Sequence, residues 1–173
     1  MDIYIENARH NSYARGGWIN LPILEDELSR KLNFYYGETI ITDYALPFTI
    51  TEHENPHKIN EVLKELLKTN LTYTELKILF KISDSDWTDT AEKIINGEYQ
   101  LLKVDKANEF KIVDETDVAR YLYDNDQILF LFEVPTNLYD YLDWNKVWNT
   151  CNMSENWTMF VDAESLTTYA VKI

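Results

Sequence analysis

The sequence predicts an α+β fold made of three small units, and three observations predict it. Strand-like alternation opens the chain, an apolar helical stripe fills its middle, and mixed helix and strand signals close it. The boundaries expected are an α/β unit over 1–58, an all-helical unit over 59–103 and an acidic α/β unit over 104–173, with small antiparallel sheets in the outer two.

In the first unit, residues 2–6 alternate, with Ile3 and Ile5 on one face. Gly16-Gly17 then supply a turn before a strand from Trp18 to Leu21. Pro22 opens a helical stretch on which Ile23, Leu24, Leu28 and Leu32 recur at helical intervals. Residues 38–44 and Phe48-Thr49-Ile50 read as β segments broken at Pro47, and Pro56 marks a boundary.

The middle unit begins with the stripe Ile59, Val62, Leu63, Leu66 and Leu67. Thr74 starts a second helix, Asp86 or Thr88 caps a third over 91–95, and Gly97 ends it. In the last unit, Phe110–Val113 reads as a short strand and Asp114 caps a helix through Leu122. Residues 135–148 read as one further helix, and 157–161 with 169–173 as a closing hairpin.

Composition narrows the function classes. Of 173 residues 45% are hydrophobic and 14% aromatic, enough for a packed core, so the net charge of −14 does not signal disorder. That charge lies outside the range of about 2 to 8 usual for a small domain. It repels nucleic acid and anionic membranes and attracts basic surfaces or cations. Residues 104–173 hold thirteen acids against five bases, whereas 61–103 hold eight against six. The clustered acids Asp105, Glu109, Asp114, Glu115, Asp117, Asp124 and Asp126 are therefore the candidate target-binding surface.

A single cysteine, Cys151, excludes an intramolecular disulfide framework and points to a reducing compartment. The N-terminus carries no signal-peptide pattern, and no apolar run approaches the roughly 20 residues of a membrane span. A cytoplasmic protein without a membrane partner is expected.

No phosphate-cradling or nucleophile-elbow motif occurs, and the chain has only four glycines from which to build one. His53 and His57 have the spacing of a helical metal pair, but Pro56 between them disrupts the helix such a pair needs. Asp84, Asp86 and Asp89 lack the glycine and glutamate of a calcium loop and read better as a helix start. Tyrosines and tryptophans such as Tyr121, Tyr141 and Trp144 stand among acids, which suits core or interface packing rather than base stacking. The expectation is a non-enzymatic protein with no cofactor and no bound metal or nucleic acid.

Four stretches resemble the ArdA antirestriction family of mobile elements and phages. They are Ile3-Tyr4-Ile5-Glu6-Asn7 with Gly17-Trp18, the segment Ile41-Thr42-Asp43-Tyr44-Ala45-Leu46-Pro47-Phe48, the run Asp117-Val118-Ala119-Arg120-Tyr121, and the stretch from Glu133 to Trp144. The second is similar to the family's DYELPF segment, and the last to its antirestriction motif E-V-P-x-x-L-x-x-Y-I-D-Y. The resemblance implies an elongated three-part fold and an inhibitor of type I restriction–modification enzymes. It further implies that surface carboxylates imitate DNA phosphates, with the helix at 114–123 contributing.

It also implies a homodimer formed near the motif, with Glu133, Val134, Pro135, Leu138, Tyr141, Asp143 and Trp144 in that region. Two departures from the family stand out: a shorter, glycine-poorer loop between Asn7 and Trp18, and a middle unit carrying Lys64, Lys68, Lys77, Lys81, Lys93 and Lys103. They leave room for another mimicked target, such as a CRISPR nuclease or a nucleoid protein. An acidic protein-interaction module without mimicry is the remaining alternative.

Overall fold

The computed structural model describes residues 1–8, 16–35, 38–104, 113–128, 136–163 and 165–173, without the side chains of residues 136, 137 and 139. The chain is α+β, with two antiparallel three-stranded sheets and six α-helices among the described residues. It divides into two compact units, Met1–Gly97 and Glu98–Ile173.

The first unit is built on a sheet of order β2-β1-β3, formed by β1 (Asp2–Asn7), β2 (Gly17–Asn20) and β3 (Thr39–Ala45). The period-2 alternation of β1 sends Ile3 and Ile5 into the core, where Ile19, Ile41 and Leu28 are also buried. Tyr4 and the exposed Trp18 meet edge to face at 5.2 Å. Leu28 lies on α1 (Glu25–Phe34), whose three first-turn acids sit at the positive pole of the helix dipole.

Three helices complete this unit. α2 (Pro56–Leu66) starts with proline at a position where no N–H is needed, and Asn55 caps it by accepting from the His57 N–H at 2.9 Å. α3 (Tyr73–Ile82) opens on a reciprocal capping box between Thr72 and Glu75, two residues before the expected Thr74 start. α4 (Trp87–Ile95) is capped by Asp86, and Gly97 follows it in the left-handed region at φ 72°. Ile59, Leu63 and Leu66 of the predicted stripe are buried, while Leu67 is exposed.

The buried Asn60 of α2 ties helix to sheet connection. Its side chain accepts from the Ile23 N–H at 2.8 Å and donates to the Ile23 carbonyl at 3.0 Å and to Glu25 at 3.2 Å. The segment Phe48-Thr49-Ile50, expected as a β segment, is not a strand. Phe48 is instead buried against the helices, stacked on Trp87 at 4.7 Å and tilted against Phe80 at 4.9 Å. Aromatic burial there outweighs the β propensity of three residues.

The second unit holds a sheet of order β4-β6-β5, from β4 (Gln100–Val104), β5 (Trp157–Asp162) and β6 (Thr167–Lys172). The β5–β6 hairpin is as predicted; β4, which pairs Gln100 with Lys172, was not foreseen. α5 (Glu115–Asp124) and α6 (Trp144–Glu155) pack on this sheet around Val118, Leu122, Trp144, Trp148, Cys151 and Trp157.

The single helix expected over 135–148 is two pieces: a 3-10 segment, Thr136–Tyr141, and then α6. Asp143 separates them, because its side chain accepts from the Lys146 N–H at 3.3 Å and starts a new helix. The strand expected at 110–113 falls mostly outside the described residues, and Val113 belongs to no regular element.

Candidate functional site

The candidate acidic surface is organised by α5. Asp114 is its N-cap, accepting from the backbone N–H groups of Thr116 at 2.9 Å and Asp117 at 3.0 Å and from the Thr116 hydroxyl at 2.6 Å. Asp117 reciprocates by accepting from the Asp114 N–H at 3.2 Å. This capping box gives both carboxylates a structural task at the positive end of the helix dipole. Glu115 follows Asp114 and is exposed.

At the other end the situation reverses. Asp124 is the last helical residue, Asn125 the C-cap, and the last turn carries no basic residue. The N–H of Asp126 donates to the Tyr123 carbonyl at 3.0 Å and the N–H of Gln127 to the Leu122 carbonyl at 2.8 Å. This pair of bonds is a Schellman motif, in which the residue at Asp126's place is usually glycine. Asp126 holds it at φ 56°, exposed, and at the negative pole of the helix.

Asp105 and Glu109, the remaining candidates of the acidic surface, lie outside the described residues, as do Glu133, Val134 and Pro135 of the motif. The rest of the motif divides sharply. Tyr141 is 84% exposed and Leu138 46%, whereas Trp144 is only 4% exposed. Trp144 packs inside its own unit, edge-on to Tyr123 at 5.9 Å and under the Arg120 guanidinium at 5.5 Å. Asp143 caps α6 and bonds the Lys146 ammonium at 3.1 Å, and the hydrogen bond from Lys146 is the main reason its carboxyl is held below the usual range.

Asp140, exposed beside Tyr141, adds a carboxylate that the sequence analysis did not single out. Its one signal was its place three residues before Asp143, the spacing that puts helical neighbours on one side. Three further acids outside α5 lie beside lysines. Glu27 meets Lys31 at 3.2 Å, Glu65 meets Lys68 at 2.6 Å, and Glu155 meets Lys172 at 3.4 Å.

Neither histidine of the spaced pair turns toward a metal arrangement: His57 pairs with Glu25 and His53 with Glu52. Among the described residues no group of three His, Cys, Asp or Glu is placed to hold a metal ion. Burial pushes the Cys151 thiol up to about 11, with the charge of Glu155 adding to the shift. Its thiolate, the reactive form, is therefore suppressed at neutral pH. No helix among the described residues is long and apolar enough to cross a membrane.

The described part of this region thus carries carboxylates at both ends of α5 and exposes Leu138 and Tyr141 on the following segment. The family model Antirestriction protein (ArdA) matches residues 3–163, nearly the whole chain, and the chain belongs to that family. Its members are antirestriction proteins, inhibitors of type I restriction enzymes rather than enzymes themselves. The chain is also similar to a protein of Acanthamoeba polyphaga mimivirus described as a putative ankyrin repeat protein, L774, at 26% identity over 151 residues. The similarity takes in 80% of this chain but only 24% of the length of that protein.

Proposed function

We propose that the protein inhibits a type I restriction–modification enzyme by presenting carboxylates where the enzyme expects DNA phosphates. The observation that carries this reading is the distribution of acids on α5. Its ten residues span about 15 Å, roughly four base-pair rises at about 3.4 Å each. Glu115 stands at one end, Asp124 and Asp126 at the other, and Asp126 occupies a place where helix chemistry favours neither its charge nor its side chain. Lysines and arginines that line a DNA groove would meet a comparable field, and the affinity would fall as salt rises. A carboxylate can be neither cleaved nor methylated as DNA is, so the target would stay occupied.

The test is inhibition of DNA methylation by a purified type I enzyme. Replacing Glu115, Asp124 and Asp126 together by their amides leaves the capping box of Asp114 and Asp117 intact. At modest exposed-pair energies the triple variant should need about tenfold more protein for half-inhibition. Undiminished inhibition by that variant would remove α5 from the binding surface.

The same proposal includes a cytoplasmic homodimer joined through Leu138 and Tyr141, the exposed apolar residues of the motif. Light scattering of the wild type against Tyr141→Asp tests it, a monomeric wild type being the refuting outcome. The lysine-bearing stretch 61–103, with Glu65 already matched by Lys68, favours one second reading: mimicry aimed at another DNA-binding protein. Capture from host lysate of restriction subunits alone would argue against it.

A further inference from the structure

The chain carries one Asn-Gly pair, Asn96-Gly97, and it stands where the first compact unit ends and the second begins. Asn96 is the C-cap of α4, Gly97 follows it at φ 72°, and both are exposed. Residues 96–99 are the whole connection between α4 and β4.

An Asn-Gly pair has a reaction of its own. The backbone nitrogen of the following residue attacks the side-chain carbonyl carbon Cγ of asparagine, and glycine offers no Cβ to hinder the approach. The N–Cγ bond forms, the Cγ–Nδ2 bond breaks, and ammonia leaves with the proton that the backbone nitrogen gives up. Water then opens the resulting succinimide ring at either carbonyl. One opening yields aspartate. The other yields isoaspartate, whose main chain runs through the former side chain. The sequence of steps consumes only water and releases only ammonia.

The fold holds this reaction back without forbidding it. Asn96 sits at φ −76° and ψ −6°, and ring closure requires ψ to rotate far from that helical value. The Gly97 N–H, whose nitrogen is the nucleophile, donates to the Ile94 carbonyl at 3.1 Å, and the Asn96 N–H donates to the Glu92 carbonyl at 2.9 Å. These are the last bonds of α4, and helices fray first at their ends. A Cβ placed on Gly97 would meet nothing within 4 Å, so the turn has room to open.

We propose that Asn96-Gly97 is a self-modifying site, converting to isoaspartate at a rate set by how often the end of α4 opens. The product cannot rebuild the same cap, because an extra methylene now lies in the main chain between α4 and β4. It also places a carboxylate at the negative pole of α4, two residues before Glu98. The end of α4 is thereby loosened in the one stretch of chain that joins the two units.

The test incubates the purified full chain at mildly alkaline pH, folded and in parallel in urea. The tryptic peptide 94–103 contains no other asparagine. Mass mapping of that peptide reads the conversion, and labelling by isoaspartyl methyltransferase reads the linkage. Isoaspartate should accumulate at Asn96 in both samples, about five- to thirtyfold more slowly in the folded one. Asn96→Gln should remove the signal. A folded rate equal to that in urea, or one reduced about a thousandfold or more as global unfolding would require, would each overturn the proposal. The isoaspartyl form should also exchange its amide hydrogens at the end of α4 faster than Asn96→Asp, which carries the charge without the longer main chain. Equal exchange in the two would overturn the loosening of the cap. These measurements read the linkage and the helix end directly, so their outcome is independent of restriction inhibition.

Discussion

Asp126→Gly should make the protein more stable and a poorer inhibitor at once. Asp126 closes the Schellman motif of α5 at φ 56°. A side chain in that region costs about 1–2 kcal/mol, which glycine avoids. Glycine returns about 0.5–1 kcal/mol through its larger unfolded-state entropy. Removing a negative charge from the negative end of the helix acts in the stabilising direction. The net expectation is about 0.5–1 kcal/mol in favour of the variant, or about 2–8 °C in the midpoint of a unit this small.

Thermal denaturation followed by circular dichroism reads the stability, and half-inhibition of type I methylation reads the function. Asp126→Asn is the control, since asparagine tolerates the left-handed region but carries no charge. The glycine variant should melt higher than the asparagine variant, and both should inhibit less well than the wild type. A glycine variant no more stable than wild type would refute the backbone argument. Undiminished inhibition by both variants would mean that Asp126 contributes no charge to the target contact.

Three further outcomes follow from geometry. Asn60→Leu leaves the N–H and carbonyl of Ile23 without their partner and should destabilise the first unit by about 2–4 kcal/mol in urea denaturation. Cys151 should resist iodoacetamide at pH 8 in the folded protein and react on unfolding, because its thiol is raised from 9.0 to about 11. The neutral thiol favours the folded state, so that contribution should be present below pH 9 and fade as pH rises toward 11, a loss absent from Cys151→Ala. The Glu25 carboxyl is lowered from 4.5 chiefly by its hydrogen bond with His57, so its contribution is present above pH 4.5 and lost as pH falls below it. Acid titrations of the melting midpoint should show that limb weakened in Glu25→Gln.

Much of this fold is legible in local pattern. The alternation of Ile3 and Ile5, the capping chemistry of Asp86 and Asp114, and the glycine after α4 each specify an element within a few residues. Readings failed where distant residues decide. Phe48-Thr49-Ile50 has β propensity, but the stacking partner that withdraws Phe48 lies 39 positions away at Trp87. The 3-10 segment and α6 share one apolar rhythm, and only the Asp143 side chain turning back on Lys146 separates them.

β4 escaped because Gln100-Leu101-Leu102-Lys103-Val104 resembles the tail of a helical stretch until β6 is beside it. At the site, sequence could name the acids but not their geometry. It could not distinguish the buried Trp144 from the exposed Tyr141 three residues earlier, since both are aromatic and both flank acids.

The strand order β4-β6-β5 has a consequence for how the protein is made. β6 is central, so β4 has no neighbour in the sheet until the ribosome has released a strand that begins more than sixty residues later. At about 5–20 residues per second that interval lasts roughly 3–14 s. All of the first unit's strands and helices precede β4, so that unit can fold during synthesis while β4 still waits. Through that wait α5 can already pack on α6, which emerges before β6, but the edge of β4 stays unpaired, and the second sheet closes only once β6 has been made.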